Sequence, residues 1–153
     1  MVQQALNRLS TPLRRYNGFD GVVGSDDGVR IAGGRFATLQ EADDELDSGA
    51  YMLYVKEGSY STLTVSTNDV YIYCEPGTVF TGAITLSGAN IRLEVGGQCD
   101  LQGLLTLGGA SCSFISGSGT DGIGIQVDGA DCFIDGGGHD TLMNGGSDRR
   151  GIR

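Results

Sequence analysis

A group of titratable side chains that could do chemistry lies in the last third of the chain and consists of Asp128, Asp131, Asp135, His139 and Asp140. Two carboxyl groups at a suitable separation are the machinery of glycoside hydrolysis, where one acts as the acid and the other as base or nucleophile. Asp131, however, falls at a position that a tight turn already explains. The group is therefore compatible with a carbohydrate-active enzyme without requiring one, and we interpret His139 as a solvent-facing loop residue.

The glycines at 117, 119 and 122 match the GxGxxG dinucleotide-binding pattern by letters alone. That mechanism needs a preceding strand and a following helix, whereas the segment leads into GIQV, which has the alternation of a strand. With Asp121 the stretch also resembles one calcium-binding nonapeptide turn, but such sites need tandem copies to surround the ion. We therefore predict no cofactor and no metal site, and we interpret these glycines as a corner of a repeat.

A repeat with a step of 20 or 21 residues organises residues 67–135. Each copy contains two short runs that alternate apolar and polar residues, which indicates strands with one buried face. One column of the repeat contains Ile72, Leu93, Phe114 and Ile134, and a second contains Leu63, Ile84, Leu105 and Ile125. Stacked turns bury these columns continuously, and each buried side chain contributes about 1.5 to 3 kcal/mol. The repeat predicts an all-β fold, a right-handed single-stranded parallel β-helix of about four coils with two strands per coil.

Small polar residues recur at the corners between the columns, namely Asp69, Asn90, Ser111 and Asp131. Such side chains hydrogen-bond to nearby backbone and suit tight turns. Gly88, Gly109 and Gly129 stand two residues before three of them, and we expect these glycines to supply a positive φ.

Four cysteines, Cys74, Cys99, Cys112 and Cys132, show no CxxC pair and no nearby histidines for a zinc site. Cys112 and Cys132 continue the apolar column that Val70 and Ile91 begin. We predict buried thiols rather than a disulfide, although stacked neighbours would be close enough to oxidise.

A helix is predicted to begin after Thr38, because Thr38 and Glu41 form a capping box. Leu39, Ala42 and Leu46 form its apolar stripe, and we expect the acidic residues at 41, 43, 44, 45 and 47 to face solvent, with Gly49 as its end. The helix is followed by a strand over 51–55 and by a turn, KEGSY. Its position immediately before the repeat is suited to covering the open edge of the first coil.

The distribution of charge predicts two parts: an N-terminal attachment arm and linker over residues 1–36, and a β-helix domain over residues 37–153. The arm has a net charge of +2, whereas residues 37–148 have a net charge of −14. Residues 2–9 form a predicted amphipathic helix too short to be stable unless it is docked. The predicted partner-binding residues of the arm are Val2, Leu6, Arg8, Leu9, Arg14 and Arg15. An acidic body argues against nucleic acid as a partner. No apolar run is long enough to span a bilayer and no secretory signal is encoded, so we expect no membrane partner.

The order RFATLQEAD, YMLYVKEGSY and then repeating coils resembles the N-terminal part of pectate-lyase-like right-handed parallel β-helix proteins, including bacteriophage tailspikes. The resemblance covers residues 35–143. It implies a structural virion protein, a head decoration or a tailspike stem, made in the host bacterial cytoplasm and associated as a homotrimer with other capsid or tail proteins. The alternative is a polysaccharide lyase or glycoside hydrolase acting on a host surface polysaccharide. Lyases of this type use a basic proton acceptor, and no Arg or Lys lies between Arg92 and Arg149. We therefore favour the structural protein, without catalytic residues or cofactor.

Overall fold

The computed structural model describes residues 18–24, 35–122 and 124–135. Over these residues the chain is all-β with one short helix, and its strands stack in parallel into a β-solenoid of about 4 turns. The predicted fold class is confirmed. The right-handed sense of the coil, which parallel crossovers nearly always adopt, stays a prediction.

The strands form three sheets, which enclose a continuous apolar core. Sheet A consists of β1 (Gly21–Val23), β2 (Arg35–Phe36), β3 (Tyr51–Val55), β6 (Val70–Cys74), β9 (Arg92–Val95), β12 (Ser113–Ser116) and β15 (Phe133–Asp135). Sheet B consists of β4 (Ser59–Tyr60), β7 (Thr78–Phe80), β10 (Gln98–Leu101) and β13 (Gly119–Gly122). Sheet C consists of β5 (Leu63–Val65), β8 (Ile84–Leu86), β11 (Leu105–Leu107) and β14 (Ile125–Val127). The helix α1 spans Leu39–Leu46.

Both predicted columns are in register. In sheet A, Ile72 pairs with Leu93, Leu93 with Phe114 and Phe114 with Ile134. In sheet C the paired residues are Leu63, Ile84, Leu105 and Ile125. All of these side chains are buried. The 21-residue step is therefore the length of chain that returns a strand to its own sheet one coil later.

The prediction of two strands per coil is wrong, because sheet B supplies a third. Its strands include Ser59–Tyr60, which was expected to be a turn, and Gly119–Gly122, which was expected to be a corner. The inward positions of sheet B mix Thr78, Cys99 and Thr120 with Phe80 and Leu101, all buried. Because Thr78 and Thr120 place hydroxyl groups in this inward row, sheet B has no uniformly apolar column like those of sheets A and C, and its strands are not identified by an apolar pattern.

The corners of the coil place their left-handed backbone on the polar residues and not on the expected glycines. Asp69, Asn90, Ser111 and Asp131 have φ between 57° and 60°. Asparagine and aspartate are the residues other than glycine that adopt this conformation most readily. The amide of Asn90 donates to the carbonyl of Ala110 at 2.9 Å, and that of Ser111 donates to Ala130 at 2.8 Å, so each corner is tied to the next.

The corner positions require glycine because there is no room for a Cβ atom. A Cβ atom on Gly109 would lie 1.9 Å from the carbonyl oxygen of Gly88, and one on Gly129 would lie 2.0 Å from that of Gly109. Successive coils therefore approach backbone to backbone at this corner, and any side chain would force them apart.

Helix α1 packs against β5, β1 and β2, which places it over the first coil as predicted. Its capping box is present, because the Glu41 amide donates to Thr38 Oγ1 at 3.1 Å and Glu41 Oε2 accepts from the Ala37 amide at 3.1 Å. The side chain of Gln40 pairs with the edge of β5: its Oε1 accepts from the Thr64 amide at 2.8 Å and its Nε2 donates to the Thr64 carbonyl at 3.3 Å. The side-chain amide of Gln40 thus takes the place of a neighbouring strand at the exposed edge of β5.

The solvent-facing assignment of Asp43 is wrong. Its side chain is 4% exposed and its Oδ1 accepts a hydrogen bond from the Tyr51 hydroxyl. Burial raises the pKa of the Asp43 carboxyl, while the bond from Tyr51 acts in the opposite direction. The helix also ends at Leu46, before Gly49.

All four cysteines are free and buried, which confirms the prediction of buried thiols for Cys112 and Cys132 and adds Cys74 and Cys99. Burial raises the pKa of the Cys99 thiol to about 12 and raises that of Cys74 well above its ordinary value. Thiols held in the neutral form are poor nucleophiles, so these cysteines act as core residues.

Candidate functional site

The predicted partner-binding residues of the arm, Val2, Leu6, Arg8, Leu9, Arg14 and Arg15, lie outside the residues that the structure describes, and their role stays a prediction. Of the arm, the structure describes residues 18–24, which we call the arm root, and residues 35–36. How this root is held determines what the arm can transmit to the solenoid.

The arm root is built into sheet A. Strand β1 lies between β3 and β2 and is parallel to both. The Asp20 amide donates to the Met52 carbonyl at 2.8 Å, and the Asp20 carboxylate accepts from the Met52 amide at 2.8 Å. Val23 is fully buried in the solenoid core, and its carbonyl accepts from the Lys56 amide at 2.9 Å. The arm root is therefore a structural rung of the solenoid.

An aromatic cluster on the outer face of sheet A fastens the same segment from a second side. Phe19 meets the Tyr54 ring edge-on, with centroids 5.4 Å apart, and stacks on Tyr71 at 6.1 Å. Tyr54 in turn packs against Tyr73 at 5.5 Å. Contacts of this kind contribute about 0.5 to 1.5 kcal/mol each beyond the burial of area. Phe19 therefore acts as an anchor on the solenoid wall.

Carboxylates hold the tyrosines of this cluster in place. The Tyr54 hydroxyl donates to Glu75 Oε2 at 3.0 Å, and the Tyr71 hydroxyl donates to Glu94 Oε2. Glu94 Oε1 accepts from Arg92 Nη2 at 3.1 Å, and the Arg92 guanidinium lies 5.7 Å from the centre of the Tyr71 ring. Burial, followed by the hydrogen bond to Glu94, raises the pKa of the Tyr71 hydroxyl.

The polar groups of this network form their hydrogen bonds with one another. Both oxygens of Glu94 already accept hydrogen bonds, and Tyr71 has Phe19 and Arg92 against its ring. A general base must instead be within reach of a substrate proton. The arrangement therefore positions the arm root and is not set up for proton transfer.

The acidic group proposed as a possible catalytic set is divided among different parts of the coil. Asp128 follows β14 and accepts from Gln126 Nε2 at 2.7 Å, Asp131 is a corner residue with positive φ, and Asp135 ends β15. His139 and Asp140 lie outside the described residues. Within residues 18–24, 35–122 and 124–135, no three His, Cys, Asp or Glu side chains form a cluster that could hold a metal ion.

An open depression of about 360 Å³ lies where the arm root meets the end of α1. It is lined by Asp20, Glu45, Leu46, Ser48, Gly49, Ala50 and Tyr51. The carboxylate of Asp20 is already bonded to the Met52 amide. We interpret the depression as a seam between two packed segments.

Sequence reasoning missed the aromatic cluster. The available signal was that Tyr71 and Tyr73 alternate with the inward residues of β6, so that both point outward from one strand. The 19-residue offset between Tyr54 and Tyr73, which pair in the structure, hid their alignment because it differs from the 21-residue step.

None of the helices in the described ranges is long and apolar enough to cross a membrane. In comparisons with known proteins, no protein-family model matches the chain, and no curated protein or solved structure matches it either.

Proposed function

We propose that this chain is a structural protein of a bacteriophage particle, a short β-solenoid body that is attached to a capsid or tail protein by its N-terminal arm and associates as a homotrimer. The head-decoration protein and the tailspike stem are the two forms of this proposal. Its motivation is the resemblance of residues 35–143 to pectate-lyase-like β-helix proteins, together with the way the arm root is held.

The single observation that carries the attachment role is the double fastening of residues 18–24. Strand pairing joins β1 to β3, and the outer aromatic cluster clamps Phe19 from another direction. A load applied to residues 1–17 would pass directly into the sheet, since Val23 is part of the core. A purely flexible linker would need neither fastening.

Imaging of the source particle with a label on this chain is the direct test. We expect density at regular positions on the head or the tail. Deleting residues 1–17 should abolish incorporation and leave the circular dichroism spectrum and melting temperature near those of the full chain. Deletion of residues 1–33 is a poorer test, because it also removes β1 and the buried Val23.

Replacing Arg149 and Arg150 by Ser serves as a control for the loss of basic charge. This variant should incorporate normally. Normal incorporation of the chain without residues 1–17 would contradict the attachment role of the arm, and absence of the chain from the particle would contradict the virion assignment.

A second candidate function, binding or cleavage of a neutral surface glycan, is favoured by the half-buried rings of Tyr73 and Phe133 on the outer face of sheet A. Release of reducing ends or of unsaturated sugars from a capsular polysaccharide would support cleavage, and co-sedimentation of the polysaccharide with the protein, reduced by Phe133→Ala, would support binding. A polysaccharide that is neither cleaved nor co-sedimented at high protein concentration would leave only the structural role.

A further inference from the structure

The outer face of sheet C is free of charge over its first three coils. Its central row is Thr64, Thr85 and Thr106, which pair in register and continue to Gln126. The flanking outward positions before and after the strands of these coils are Thr62, Ser66, Ala83, Ser87, Leu104 and Gly108. We call this surface the neutral face. None of its side chains is ionisable, and all of them are exposed or partly exposed.

A neutral surface is unusual on this chain, whose net charge is −9. The outer face of sheet A carries Arg92 and Glu94, and that of sheet B carries Asp100. At one border of the neutral face lies the acidic helix α1, whose Gln40 touches Thr64. At the other border lies Asp128, which follows β14. Carboxylates therefore frame the face without entering it.

We propose that the neutral face is the surface through which copies of this chain associate. The inference rests on the proposed homotrimer and specifies its interface. Copies of an acidic protein repel each other, and a contact through a charged wall would bring like charges together at a cost of several kcal/mol. The neutral face is where two copies can meet without burying an unpaired carboxylate.

Threonine suits a face that is turned toward a threefold axis, where the same residue of all three copies meets. Its hydroxyl both donates and accepts, so the three copies of one threonine can form a closed ring of hydrogen bonds. Its β-branched side chain is stiff about χ1, so little rotamer entropy is lost when the face is covered. The inward side of the same strands is a continuous apolar column, which holds the backbone of the row in place.

The neutral face is small. Three strands spaced about 4.8 Å apart, with about five residues of about 3.3 Å on each, cover roughly 240 Å². A standard interface buries about 800 Å² on each partner. The association should therefore depend on concentration, and it should strengthen as ionic strength rises, because salt screens the repulsion between the acidic bodies.

Sedimentation velocity of the full chain over a wide concentration range, at low and high salt, tests the inference. Thr85→Asp places a like charge at the centre of the face and should raise the midpoint concentration of association about tenfold or more. The matched control is Ser113→Asp, an outward mid-sheet position in sheet A with similar partial burial. Thr85→Val keeps the shape without charge and should associate at least as well as the natural chain, and the melting temperature shows that each variant is folded.

Equal association of Thr85→Asp and Ser113→Asp would overturn the neutral face as the interface and leave the homotrimer itself standing. A monomer under all conditions would overturn both the interface and the homotrimer, while the virion assignment would still be decided by imaging. Association that weakens with added salt would also contradict the inference, since it would indicate contact between opposite charges.

Discussion

The carboxyl group of Asp43 is buried beneath helix α1, where the Tyr51 hydroxyl donates to it. Burial raises its pKa above the ordinary value of 3.8. The folded chain thus binds this proton more tightly than the unfolded chain does. Stability from this group is fully present below the ordinary pKa and is lost as the pH rises through the folded-state pKa.

Asp43→Asn should therefore flatten this part of the pH dependence, because an amide can still accept from Tyr51 and carries no charge. At neutral pH the variant should be as stable as the natural chain or more so. Tyr51→Phe leaves the buried carboxylate with only the 3.4 Å bond from Gln40 Nε2 and should cost about 1 to 3 kcal/mol. Urea unfolding at acidic and neutral pH measures both effects. Glu45→Gln, at an exposed position of the same helix, is the control, and an equal change in pH dependence from both amides would refute the role of Asp43.

Two neighbouring glycines provide a sharper test at the residue scale. A Cβ on Gly109 would meet the Gly88 carbonyl oxygen at 1.9 Å, while one on Gly108 would find its nearest atom at 3.6 Å. Gly109→Ala should destabilise the fold by at least about 2 kcal/mol, and Gly108→Ala should change it by no more than about 0.5 kcal/mol. Thermal or urea unfolding of the pair gives the comparison. Similar losses from the two variants would mean that the close approach of the coils is not what requires glycine.

At the scale of the elements, the edge of β5 depends on one side chain from another element. Gln40 makes two hydrogen bonds to the backbone of Thr64. Gln40→Ala removes these two bonds and the one that Gln40 Nε2 donates to Asp44 Oδ1 at 2.9 Å. It should cost about 1 to 3 kcal/mol and should speed hydrogen exchange of the Thr64 amide. Glu45→Ala, on the exposed part of the same helix, should do neither. If Thr64 exchanged at the same rate in both variants, the side chain would not be capping this edge.

The elements that could be predicted are those whose pattern is purely apolar. Ile72, Leu93 and Phe114 keep a strict step because they fill the same layer of successive coils, so sheets A and C could be identified. Sheet B could not, since its inward layer accepts Thr78 and Thr120 beside apolar residues. The repeat predicted the positions of the corner glycines. It did not predict why glycine is required there, because a close approach between coils is a tertiary property that no local pattern encodes.

At the scale of the whole molecule, the arm also has features that the sequence predicts and features that only the structure shows. Its role in binding stays a prediction. The composition of residues 16–34 predicts a linker with one or two short strands, and β1 is such a strand. Its place inside sheet A could not be predicted, because three residues have no periodicity to detect. The predicted boundary between an arm over 1–36 and a body over 37–153 stays a prediction. Within the predicted arm, however, β1 and β2 belong to sheet A. The part of the arm that can be deleted without removing a strand of the solenoid therefore ends before Gly18.

The last prediction separates the two parts of the arm's proposed binding. Arg8, Arg14 and Arg15 would contact an acidic partner through charge, which salt screens over about 10 Å at moderate ionic strength. Val2, Leu6 and Leu9 would contribute apolar burial, which salt does not remove. We expect attachment of the natural chain to weaken with salt and then level off.

Replacing the three arginines by Ser should leave only the part of the attachment that does not depend on salt. The measurement is the copy number of the chain on isolated particles after washes of rising ionic strength. Leu6→Asp should instead bind at low salt and be washed off completely, because the apolar part is lost. Since self-association through the neutral face should strengthen over the same range, loss of chain from the particle would report on the arm and not on the trimer. An arginine-free arm that still showed the full salt response would place the electrostatic contact elsewhere, at Arg149, Arg150 and Arg153 or on the acidic body itself.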